Sequence, residues 1–128
     1  MSELRKKIHD DLLEVSSNEL GELQHIRDPV ETIEFNDNII SAYIVQKGKC
    51  YISKGKLIPN QCIAIRKEPH KERNRDGYTN IVIIQRNFAN FIFQSNSNMN
   101  TIVEDLNLET EMKKKIVKLY NRHSNTLN

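Results

Sequence analysis

The side chains that could do chemistry in this chain are four histidines, two cysteines and a basic run through its middle. The histidines are His9, His25, His70 and His123, and no two stand at the i, i+4 spacing that puts two ligands on one helix face. His9-Asp10-Asp11 groups ligand-type side chains, but it lies on the polar side of an amphipathic segment. It reads as solvated helix surface, and no metal is expected. Cys50 and Cys62 form no C-x-x-C pair and sit beside Ile52 and Ile63, so they read as buried, inert thiols. Gly21, Gly48, Gly55 and Gly77 are too dispersed for a P-loop or a dinucleotide fingerprint, so no nucleotide cofactor is expected either. No catalytic residue can be assigned, and binding is favoured over catalysis.

The basic run is the more informative feature. Residues 1–46 carry a net charge of −6, residues 47–86 of +7 and residues 87–128 of +1, so the overall +2 conceals a cationic centre. Strand-like alternation puts Lys49 and Tyr51 on one face, with Cys50 and Ile52 on the other. Lys47, Lys54 and Lys56 add charge at the adjoining turns, and Arg66, Lys67, Lys71, Arg73 and Arg75 lie in or beside one polar loop. Clustered cations bind phosphates or an acidic protein surface, and bases can stack on tyrosines such as Tyr51 or Tyr78. Glu68, Glu72 and Asp76 dilute the loop, so nucleic-acid binding at physiological salt is expected to be weak.

These residues need a scaffold. Leu4, Ile8, Leu12 and Val15 make one helical stripe, Leu20 and Leu23 a second, and Asp28-Pro29 closes a helical region over 1–28. Between 30 and 94, short β-branched runs alternate with turn residues. Strands are expected near 30–35, 39–46, 49–53, 61–67, 79–86 and 89–94, paired as antiparallel hairpins because the connections are short. Ile44, Ile63, Ile65, Ile81, Ile83, Phe91 and Phe93 are expected inside, and Ile81-Val82-Ile83-Ile84, apolar on both faces, in a central strand. Helical texture returns over 99–123, where Met112, Ile116, Leu119 and Tyr120 form a stripe that could project as a protein-docking face.

Two resemblances follow from these residues. Ala42-Tyr43-Ile44 and Gly48-Lys49-Cys50-Tyr51-Ile52-Ser53 resemble the opening of the GIY-YIG nucleases, in which two short strands carry aromatic residues that shape a metal-dependent phosphodiester site. The likeness covers about a dozen residues, has Ser53 where the family prefers glycine, and lacks the arginine-bearing helix that should follow. No nuclease activity is therefore expected. A helix after Phe91-Ile92-Phe93 also resembles the end of a pleckstrin-homology barrel, at the level of the fold alone.

The expected fold is thus one α+β domain: an N-terminal helical segment, a five- to six-stranded antiparallel meander bent toward a small barrel, and a C-terminal helix. The expected function is a non-catalytic interaction module, an accessory or adaptor subunit of an intracellular assembly. A nucleic-acid-binding protein using the 47–75 region is the alternative, and a GIY-YIG-like nuclease the distant one. The expected partner is a protein; nucleic acid and self-association stay open. No apolar run reaches a membrane span, and the cysteine usage suits the cytoplasm or nucleus.

Overall fold

A computed structural model describes residues 21–93, 99–104 and 106–124. Among them are four α-helices and one two-stranded antiparallel sheet: α1 (Ile33–Val45), β1 (Cys62–Arg66), β2 (Ile81–Gln85), α2 (Ala89–Ile92), α3 (Met99–Glu104) and α4 (Thr110–Ser124). The Leu4 to Val15 stripe lies outside the described residues. Leu23, from the second expected stripe, sits in a 3-10 turn and is buried.

The five- to six-stranded meander and its barrel are not formed. Two of the six expected strands exist, within 61–67 and 79–86, and they do pair antiparallel, with Ala64 opposite Ile83. The segment near 30–35 is instead a turn that enters α1 at Ile33, and the segment near 39–46 lies in α1 and its C-cap Gln46. Phe35, Ile39, Ala42 and Tyr43 fall at helical spacing and all are buried on one side of α1. The Thr32 hydroxyl caps the helix by accepting the Phe35 N–H at 3.0 Å. Asn36-Asp37-Asn38, which reads as a turn, lies inside the helix, where Asn36 exchanges two hydrogen bonds with the backbone of Asp28. β-Branched residues cost a helix only a few tenths of a kcal/mol each, so a capped, buried face overrides their preference for strand. Tyr43 is therefore helical and fully buried, which removes the paired strands that the nuclease resemblance implied. In the segment expected as a strand near 89–94, Ala89–Ile92 are likewise helical, as α2. Phe91 is only partly buried, and Phe93 is 52% exposed.

α1 ends in a two-bond cap. The Gly48 N–H donates to the Tyr43 carbonyl at 3.1 Å and the Lys47 N–H to Ile44 at 2.9 Å. Lys47 and Gly48 both take positive φ, 58° and 69°, and this swings the chain from the helix into a tight loop. A cap of this kind normally has glycine at the first of those positions, and here a lysine occupies it.

β2 is buried along Ile81, Val82, Ile83 and Ile84 although it has only one partner strand. Its outer edge is closed by other means. The Gln46 carboxamide accepts the Ile83 N–H and donates to the Ile83 carbonyl, both at 2.8 Å, and donates also to Lys49 at 2.8 Å. The Tyr51 N–H adds a bond to the same Ile83 carbonyl at 3.0 Å, and the Cys50 thiol accepts from Gln85 N–H at 3.4 Å. Gln46→Ala is expected to destabilise the protein by about 2–3 kcal/mol in a urea melt, because it strands the buried Ile83 N–H. Gln46→Glu keeps the acceptor and loses both donors, so it should also destabilise. If both melts match the parent, the edge is not held by Gln46.

Candidate anionic-partner interface

The loop that follows α1 is short and strongly cationic. Residues 48–57 fold back on themselves: Leu57 N–H donates to Gly48 at 2.8 Å, Cys50 N–H to Gly55 at 2.7 Å and Lys54 N–H to Cys50 at 2.8 Å. Lys54 occupies the left-handed region at the tip, with φ 61°. Lys49 and Lys56 face each other across an isolated antiparallel bridge. Cys50, Ile52 and Leu57 point into the core, whereas Lys47, Lys49, Lys54 and Lys56 are exposed. The inward-outward alternation is thus the expected one, although the segment forms no strand. Lys115 of α4 pins the loop by donating to the Tyr51 carbonyl at 2.9 Å, with its ammonium 4.9 Å from the centre of the Tyr51 ring.

Among the described residues, Lys49, Lys54, Lys56 and Arg86 make no ion pair. The sequence holds no carboxylate from Ile39 through Lys67, and none from Gly77 through Val103. Lys56 and Arg86 line one open cleft of about 460 Å³ with Gln61, Gln85 and Asn87. Tyr51, Tyr78 and Lys67 line a second, of about 300 Å³, together with Gln46. Arg86 and the three amides were not among the sequence candidates. The carboxylate-free stretches that contain them were the signal that could have found them.

The rest of the expected basic region behaves differently. Arg66 is drawn inward: its Nε donates to Asp76 at 2.8 Å, one NH2 pairs with Glu31, and its guanidinium lies 4.4 Å above the Phe35 ring. Asp76 also accepts the Thr32 hydroxyl at 2.7 Å, which ties the helix cap to the loop. Arg75 stands 3.9 Å from Asp76, and it shares with Lys71 a cleft that Glu72 also lines. Arg73 is exposed. The loop is organised by buried Asn80, whose carboxamide bonds the backbone of Glu68 and Arg75. On α4, Ile116 and Leu119 are fully buried, and Met112 and Tyr120 pack against the same core. The docking stripe is thus covered by the chain itself.

Several titrations follow from this packing. Burial pushes the Cys62 thiol up to about 11, against the opposing pull of Arg86, so it stays protonated and unreactive. Burial lowers His123, assisted by the charges of Arg66 and His70, against the bond its Nε2 makes to the Arg66 carbonyl at 2.7 Å. Burial alone would raise Asp76, but the Thr32 hydroxyl and Arg66 outweigh it and hold the carboxyl low. Among the described residues, no group of three or more histidine, cysteine or acidic side chains could hold a metal ion, and no helix is long and apolar enough to cross a membrane. No protein-family model matches the chain, and no curated protein or solved structure does so either.

Both lowered groups, His123 and Asp76, make the fold acid-sensitive. A group that binds its proton less readily when folded favours the unfolded state as the pH falls. The His123 share should appear below 6.5 and the Asp76 share below 3.8. His123→Gln should therefore flatten the melting temperature over the upper window, and a parent slope retained in that variant would refute the assignment. Arg66→Met should cost about 2–4 kcal/mol, because it leaves Asp76 and Glu31 unpaired at a partly exposed site. A urea melt matching the parent would show the network to be idle.

Proposed function

We propose that the protein is a non-catalytic interaction module that engages an anionic partner through the loop 47–57 and the end of β2. The observation that carries this reading is the run of exposed cations, Lys49, Lys54, Lys56 and Arg86, that no described carboxylate neutralises. Exposed ion pairs contribute only about 0–1 kcal/mol to a fold, so leaving these cations unpaired costs little. A loop that collects cations and excludes acids concentrates a positive potential that attracts a polyanion. An accessory or adaptor subunit of a larger assembly would use such a face for docking.

Within that reading, a nucleic acid is favoured over an acidic protein by the second cleft. There Tyr78 lines an opening with Lys67 and with Tyr51, whose ring also carries Lys115, and base stacking on aromatic side chains supplies sequence-tolerant affinity. The burial of Ile116 and Leu119 works in the same direction, because it withdraws the apolar face that a protein partner would have used.

The test is an anisotropy titration of the full chain with a labelled single-stranded oligonucleotide at several salt concentrations. Binding should weaken linearly on logarithmic axes as salt rises. Lys49→Glu and Lys54→Glu each remove one phosphate-neutralising cation, so each should reduce the slope by about one unit. Both variants should fold, since the side chains are exposed. Absence of binding at low salt, or reversal of both charges without effect, would refute the interface.

A further inference from the structure

We infer that the cleft between Lys56 and Arg86 is a phosphate subsite that takes a phosphodiester group of a nucleic-acid strand. This rests on the anionic-partner reading above and adds to it a place and a chemistry. Lys56 comes from the end of the loop and Arg86 directly follows β2, so two cations from distant segments line one opening. The other polar groups there are the amides of Gln61, Gln85 and Asn87, and no described carboxylate lines it.

Gln85 is held in place beside them. Its Oε1 accepts the Ser53 hydroxyl at 2.8 Å, and the Ser53 oxygen in turn accepts the Gly55 N–H at 3.1 Å. The cleft thus sets a guanidinium fork and an ammonium beside an amide that is anchored before any ligand arrives. A phosphodiester suits this set because its two charged oxygens carry enough lone pairs to accept from Arg86, Lys56 and a lining amide together, and arginine pairs two oxygens in parallel. Its tetrahedral oxygens accept out of a single plane, whereas the lone-pair sites of a carboxylate are coplanar.

The ligand is a strand because the site is open and much larger than one phosphate, at about 460 Å³. The loop that supplies Lys56 also presents Lys49 and Lys54 on its exposed side, so a strand seated here meets further cations along its backbone.

The test uses the nitrogen-labelled full chain, titrated first with inorganic phosphate against a matched chloride control, then with a single-stranded DNA of about twelve nucleotides, a length within the usual site sizes of single-strand binders. The Gln85 side-chain amide and the Arg86 Nε resonances should shift in both titrations. Lys56→Gln and Arg86→Gln should each weaken oligonucleotide binding about tenfold or more, as expected when a charge-assisted hydrogen bond is removed, with an unchanged thermal melt. If the oligonucleotide binds with Lys49→Glu and Lys54→Glu still damaging, but these resonances stay still and both glutamine variants bind like the parent, the subsite is wrong and the broader interface stands. If no oligonucleotide binds at low salt, both fall. Binding to vesicles carrying a phosphorylated inositol lipid, without binding to the oligonucleotide, would overturn the assignment to a nucleic-acid strand.

Discussion

The carboxamide of Gln46 replaces a missing strand, and the rest of the architecture follows from it. A two-stranded sheet leaves polar backbone exposed on both outer edges, and such an edge cannot be buried without partners. On β2 the Ile83 N–H and carbonyl both bond Gln46, and Tyr51 shares the carbonyl. This lets an apolar strand sit in the core with a helix and a loop, rather than a third strand, along its edge. It also fixes the loop: Gln46 ends α1, and its amide holds Lys49 while the Schellman-type cap turns the chain.

The cationic face is a consequence of that arrangement. A loop held at Ile83 and by Lys115 from α4 keeps its apolar residues inward, so its lysines turn toward solvent. The second half of the basic region is divided from it by a different set of bonds. Arg66 joins Glu31, Asp76 and Phe35, and through Asp76 it reaches the Thr32 cap of α1. Its charge is used to hold three segments together. The cationic centre that the charge distribution revealed therefore holds one inward, structural cation, Arg66, among others that stay at the surface.

Legibility differed between elements for physical reasons. β2 could be read because a continuous β-branched run bounded by turn residues has few alternatives, and β1 because Ile63 and Ile65 alternate between turn residues. The helical texture of 110–124 could be read because its apolar residues recur at three and four. α1 could not. Its β-branched content imitates strand, and Asn36-Asp37-Asn38 imitates a turn. The Phe35, Ile39, Ala42 and Tyr43 stripe competes only once something exists for it to pack on. The cleft at Arg86 was partly visible as a carboxylate-free stretch. Its partner Lys56 lies far away along the chain, and no periodicity links them.

By itself the sequence determined the inward positions of Cys50 and Ile52, the antiparallel pairing of β1 with β2, the burial of Cys62 and the surplus of positive charge at the centre. These depend on local alternation, short connections and composition, which act within a few residues. Tertiary structure alone decided that 33–45 is a helix, that the Met112 to Tyr120 stripe packs on the chain's own core, that Arg66 points inward, and that Lys56 and Arg86 line one cleft. The first three are contests between local preference and burial or charge pairing across long sequence separation. Local preferences are worth tenths of a kcal/mol per residue, whereas burying an apolar side chain or satisfying a charge is worth about 1–3 kcal/mol, so the distant partners prevail.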